Sequence, residues 1–145
     1  MSGTKNRNAG HTFERQWAKT FRDAGYVFCK TTRQASRLLD SCKIDLAFIP
    51  YNFQCKKVKA SINYKDLILS IKKELKENIP EEDIIHNYPI IIAHKRGRLP
   101  EDHLIIMEAS SFVDMMKKIR EYDIIENQNL KNRSKIAKNP EILLD

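Results

Sequence analysis

Cysteine is scarce in this chain: Cys29, Cys42 and Cys55 are the only three, irregularly spaced and without a CxxC pair. That excludes a disulfide framework and makes a reducing compartment the expectation. His11, His86, His94 and His103 show neither HxxxH nor any His/Cys ligand spacing, which argues against a structural zinc. No apolar run approaches the ~20 residues needed to span a bilayer, and the first residues are polar rather than signal-like. No membrane association and a cytoplasmic location are therefore expected. Internal repeats are absent as well, which removes repeat architectures from consideration.

What is present fits one compact domain, because 145 residues and 17.0 kDa bury roughly two thirds of the unfolded surface in a single core. A hydrophobic fraction of 41% beside 31% charged residues supplies enough apolar surface to offset the ordering entropy. The 26 Lys+Arg against 19 Asp+Glu give a formal charge of +7 and a pI near 9.3. Such a balance attracts polyanions, nucleic acid first among them.

Residues 1–11 are polar and read as a flexible arm. Phe13, Trp17 and Phe21 then recur at helical spacing, with Thr12 as cap, Glu14 in the first turn and Gly25 as terminator. Tyr26–Lys30 reads as a strand, and the basic stretch 31–37 as a loop. Lys43–Pro50 and Phe53–Val58 read as two strands joined at Tyr51 and Asn52 into a β-hairpin. Asn63 and Asp66 open a second helix with Tyr64, Leu67, Ile68, Ile71 and Leu75 on one face, stopped by Pro80. Pro89–His94 reads as a central strand buried on both faces, Lys95–Arg98 as a basic loop, and His103–Met107 as a fifth strand. Ser111 and Asp114 cap a third helix carrying Phe112, Met115, Met116 and Ile119; the Phe112, Met115 and Met116 stripe reads as core, with an oligomer contact as the alternative. The expected class is α/β, a mixed central sheet flanked by helices in the order αβββαββα. One domain over 12–126 is followed by a basic and polar tail over 127–145, with a short docked helix at Ile142–Leu144.

Asp45 falls mid-strand, an uncomfortable place for a carboxylate unless that face opens onto a polar site or a cation. Gln54 and Lys56 alternate with Phe53 and Cys55, so period-2 geometry puts both polar side chains on one face. A hairpin can set Asp45 beside them. Asp45, the Gln54 amide oxygen and Glu14 from the first helix then offer oxygen ligands to a hard cation such as Mg²⁺, which needs only one or two carboxylates beside water and phosphate. Lys56 can orient an attacking water or neutralise charge on a phosphate. Asp40 is a weaker alternative to Asp45, since it precedes the strand where a cap or turn role is more natural.

The residues Ile44-Asp45-Leu46 and Phe53-Gln54-Cys55-Lys56, with Glu14 upstream, resemble the core of the PD-(D/E)XK nucleases over roughly Thr12 to Met107. Within that superfamily the chain is most similar to Holliday-junction resolvases and small phage-encoded resolvase-like nucleases. Two positions depart from the pattern. Leu or Ile, not Pro, flanks the acid, and Gln54 stands where Glu or Asp is usual.

The resemblance implies a restriction-endonuclease-like fold and a Mg²⁺-dependent endonuclease, with Mn²⁺ as an alternative ion. Its catalytic and metal residues are Glu14, Asp45, Gln54 and Lys56. The implied substrate is branched DNA and the implied assembly a homodimer, since two symmetric cuts suit a two-fold; the location is the host-cell cytoplasm if the chain is phage-encoded. Arg33, Ser36 and Arg37 correspond to a basic loop approaching the scissile phosphate, and Lys95, Arg96 and Arg98 form a second basic cluster for DNA. Two rivals stand beside this expectation: a repair, processing or restriction nuclease on linear or flapped DNA, and an inactive nucleic-acid-binding module on the same fold.

Overall fold

The computed structural model describes residues 2–138, so the expected docked helix at Ile142–Leu144 lies outside the described residues. The chain divides into two compact units, 1–107 and 108–145. The first holds every strand. It runs α1 (Ser2–Asp23), β1 (Lys30–Thr31), α2 (Thr32–Ala35), α3 (Arg37–Ser41), β2 (Leu46–Ala47), β3 (Asn52–Lys56), α4 (Tyr64–Asn78), β4 (Ile90–Lys95) and β5 (His103–Ile106), with single 3₁₀ turns at Ile84–Asn87 and Pro100–Asp102. Among the described residues the second is one helix, α5 (Ala109–Lys138). No described helix is long and apolar enough to cross a membrane.

The architecture is mixed α/β. Strands β3, β4 and β5 form one small mixed sheet with β4 in the middle, parallel to β3 and antiparallel to β5. Strand β4 earns its place from sequence: Ile90, Ile91, Ile92, Ala93 and His94 are all buried, as a strand covered on both faces requires. Ile90 and Ile92 pack with Ile68, Ile71 and Leu75 of α4. Phe53, one register step away in β3, instead meets Trp17 and Phe21 of α1, with ring centroids 5.0 and 5.2 Å apart. Alternating side chains therefore place α1 and α4 on opposite faces of the sheet. Each buried Ile or Phe contributes about 2–3 kcal/mol of transfer free energy.

The second helix begins where its cap says it should: Asn63 Oδ1 accepts from the Asp66 N–H at 3.0 Å, and the helix stops two residues before Pro80. Gly25, at φ 109, closes α1 in a conformation few other residues adopt.

Several expectations need correction. Helix α1 starts at Ser2, so residues 3–11 are helical rather than a flexible arm; Thr12 lies inside it, its hydroxyl donating to the Asn8 carbonyl at 2.9 Å. The strand expected at Tyr26–Lys30 is mostly a turn, because the Cys29 N–H donates back to the Tyr26 carbonyl at 3.0 Å. The loop at 31–37 contains the short helix α2. The expected hairpin is not a ladder: β2 pairs with β1 in a separate two-stranded sheet. Phe48 at φ 64 turns the chain out of extended geometry, and Pro50 has no N–H to donate. The two segments are linked at Asp45, whose N–H donates to the Phe53 carbonyl at 2.8 Å, rather than along a ladder. Helix α5 starts at Ala109, ahead of Ser111 and Asp114, and continues past 127 to Lys138, within the expected tail. Its Phe112, Met116 and Ile119 are exposed rather than core.

Candidate active site

Asp45 sits just before β2, bracketed by Thr32. The Thr32 N–H donates to the Asp45 carbonyl at 2.9 Å, and the fully buried Thr32 hydroxyl donates to the Ile44 carbonyl at 2.6 Å. With the bond from Asp45 N–H to Phe53, this fixes the backbone on both sides of the acid. The Asp45 side chain is then held against β3: its Oδ2 accepts from the Cys55 N–H at 2.7 Å and from Gln54 Nε2 at 2.9 Å.

Asp45 is 6% exposed, and burial pushes its carboxyl up to about 7. The Cys55 N–H holds it down in part, nearby Glu14 raises it further, and the Lys56 and Arg33 cations lower it. A carboxyl so disfavoured as an anion is one that a cation would stabilise strongly. Burial together with Asp45 and Glu14 also raises the neighbouring Cys55 thiol well above its ordinary value, which makes it a poor nucleophile.

Gln54 is likewise 6% exposed. Its Nε2 is used twice, on Asp45 and on the Cys55 carbonyl at 3.1 Å, while its Oε1 is buried with no hydrogen-bond partner. An orphaned buried acceptor costs about 1–3 kcal/mol, so an oxygen left bare beside a carboxyl invites a cation or a donor. Lys56, two residues on and on the same face of β3, completes the strand's contribution.

Glu14 is buried on α1 and paired with Arg33, whose Nε and Nη2 reach Oε2 and Oε1 at 3.0 and 3.4 Å. Arg33 was expected on DNA; its guanidinium instead grips a site acid. Ser36 was also expected there, and its hydroxyl accepts from the Leu39 N–H at 3.2 Å to cap α3. Arg37 is exposed at the start of α3, and Asp40 lies within α3 rather than against the Gln54 amide. In the second basic cluster, Lys95 Nζ lies 5.9 Å from the centre of the Phe13 ring. Arg96 bonds the Lys59 carbonyl and the Ser61 hydroxyl at 3.4 and 3.3 Å, and Arg98 is exposed.

The structure thus joins Asp45 to Gln54 and Glu14 to Arg33 by hydrogen bonds, with Glu14, Arg33 and Lys56 near enough to act on the Asp45 charge, and leaves Ser36, Arg96 and Lys95 engaged elsewhere. Among the described residues no three His, Cys, Asp or Glu side chains form a metal-holding group; the oxygen set is two carboxyls and one amide. An apolar groove of about 570 Å³ lined by Leu38, Phe48, Ile84 and Tyr88 contains none of them.

Sequence reasoning missed two residues here. Thr32 carried no signal, because its role depends on which backbone it meets. His11 lies one turn ahead of Glu14 on the same face of α1, and its Nε2 is buried without a partner; ligand-spacing rules compare histidines with one another and pass over a helical His–Glu pair.

The charge along the first part of the sequence is lopsided. Residues 1–65 contain thirteen Lys+Arg and only four acids, Glu14, Asp23, Asp40 and Asp45, and two of those four are buried in this site. Comparison with protein-family models, curated proteins and solved structures finds no match.

Proposed function

We propose that this chain is a metal-dependent endodeoxyribonuclease of the PD-(D/E)XK type that cuts branched DNA, acting as a homodimer. One observation carries the reading: the buried Asp45 carboxyl, held by a Gln54 amide whose oxygen is orphaned, interacts electrostatically with the buried Glu14 carboxyl and with the Lys56 and Arg33 cations. The donor set suits Mg²⁺, or Mn²⁺, which take oxygen ligands and need few from protein. Asp45, Gln54 Oε1 and Glu14 would hold the ion, and when bound it supplies Lewis-acid polarisation of a phosphate and acidification of water.

The chain's own groups do the rest. Cys55 N–H and Gln54 Nε2 fix the Asp45 carboxyl, and Arg33 fixes that of Glu14, so both are oriented before substrate arrives. Lys56 offers an ammonium to charge developing on the phosphate. The exposed basic side chains hold DNA through its backbone, which reads shape rather than sequence.

The test is incubation of purified protein with a labelled four-way junction, its component duplexes and single strands, in Mg²⁺ or chelator. Paired cuts in the junction arms, absent in chelator, are the expected result. Equal cutting of the component duplexes would remove branch specificity and favour a repair or processing nuclease.

A second reading, a binding module without chemistry, is favoured by the Gln54 Nε2 bond to Asp45, which occupies the acid from within the protein. The Gln54→Glu and Gln54→Ala forms separate the two. An active parent weakened by Ala and matched or exceeded by Glu across a Mg²⁺ titration supports catalysis. An inactive parent awakened by Glu identifies the binding module.

A further inference from the structure

Two aromatic side chains are displayed to solvent at one end of the β1–β2 ladder, one of them, Phe48, at conformational expense. Val27 and Phe28 occupy the central positions of the turn closed by Cys29 and Tyr26, and they are 64% and 75% exposed. Phe48 is 64% exposed and sits at φ 64, a region that bulky residues seldom enter. Lys30 pairs with Ala47 in the antiparallel ladder, so Phe28, two residues before one, and Phe48, one residue after the other, emerge at the same end.

The two loops are braced. The Tyr26 and Tyr51 hydroxyls are hydrogen-bonded at 3.0 Å, and both rings pack on Phe21, with centroids 5.7 and 5.9 Å away. Cations flank the turn: Arg22 Nη1 donates to the Cys29 carbonyl at 2.9 Å, leaving further N–H groups of an exposed guanidinium, and Lys30 follows in β1, exposed. Strained, rigidly supported residues gather at ligand clamps.

We infer that Phe28 and Phe48 form a stacking platform for the unpaired nucleotides of single-stranded DNA, with Arg22 and Lys30 meeting the adjacent phosphates. Charge complementarity selects this occupant: the cations Arg22 and Lys30 flank the turn that carries Phe28, which suits a polyanion. Exposed ring faces read unpaired bases because every base has a π face, whereas duplex bases are already stacked on one another. The inference deepens the nuclease reading, resting on it only for nucleic acid as the ligand, and names the unpaired strand at a branch as the part recognised.

The experiment needs no cleavage. Fluorescence anisotropy in chelator measures binding of a 20-nucleotide oligothymidylate and of a 20-base-pair duplex to the parent, Phe28→Ser, Phe48→Gly and the double variant. Phe48→Gly suits the left-handed backbone, so its thermal midpoint should hold or rise. Loss of roughly 5- to 150-fold in oligothymidylate affinity per ring is expected, with duplex affinity little changed and the salt slope preserved.

Equal weakening on both ligands, unchanged single-strand affinity, or a parent that does not bind the oligothymidylate would overturn the platform. So would variants that turn a dimeric parent monomeric in sedimentation while single-strand affinity stays constant, which would mark the patch as a contact between copies. A parent that cuts junctions but is indifferent to the ring variants keeps the nuclease reading and loses this one; a parent sensitive to them that never cuts does the reverse.

Discussion

Two buried polar clusters adjoin the β3–β4 pair, and they are built to opposite ends. At His94, fully buried, every polar atom is answered: Nε2 meets the Val58 carbonyl at 2.8 Å and Nδ1 meets the Tyr64 hydroxyl at 2.7 Å. A carbonyl only accepts, so Nε2 carries the proton and Tyr64 donates to Nδ1. At Asp45 and Gln54, one strand over, burial is nearly as complete, yet an amide oxygen has no partner and a carboxyl is pushed up to about 7. The first cluster closes on itself and locks the exit of β3; the second is left open, as the proposed metal site requires.

The sharpest way to break this comparison is at Asp45. Asp45→Asn should abolish Mg²⁺-dependent cleavage while leaving DNA binding in place. Its effect on folding is opposite in sign. In chelator the parent's carboxyl titrates near 7 when folded and near 4 when unfolded. Between those values the folded state keeps a proton that the unfolded state has released, so stability falls as pH rises, by up to about 4 kcal/mol, and levels off above about 7. The Asn form should lack that decline in urea unfolding followed from pH 4 to 8. A parent with a flat profile there would mean that the acid is not destabilised by its site.

Lys56 comes next. Lys56→Ala should lower single-turnover cleavage by about 10²–10³, the scale of losing one preorganised charge at a reacting phosphate, with thermal stability little affected because the side chain is only half-buried. An unchanged rate would remove it from the chemistry.

The smallest effect belongs to the closed cluster. Tyr64→Phe strips the donor from His94 Nδ1 and should cost about 1 kcal/mol in unfolding free energy, identically with Mg²⁺ and with chelator. If that cost depended on the ion, the two clusters would be coupled and the contrast between them would fail.

Much of this was legible beforehand because local rules decided it. Four isoleucine and alanine positions in a row could only be a buried central strand, Asn63 and Asp66 could only open a helix, and alternation along Phe53-Gln54-Cys55-Lys56 fixed which side chains share a face. The limits of the short elements were not legible, since a two-residue β1 and a two-residue β2 are defined by their partner, not by propensity. The start of α1 at Ser2 also ran against a polar, glycine-containing segment that carries no apolar stripe.

At the site, residue types and spacing determined by themselves that an acid, an amide and an ammonium would lie near one another. Only the tertiary structure decided how each is used: that Arg33 turns inward to Glu14, that Thr32 and the Cys55 N–H pin Asp45, and that Gln54 spends its N–H donors and leaves its oxygen bare. Those outcomes depend on burial and on donors brought together from residues 14, 32, 33, 45 and 55, and a hydrogen bond between segments so far apart in the chain has no signature in either segment alone.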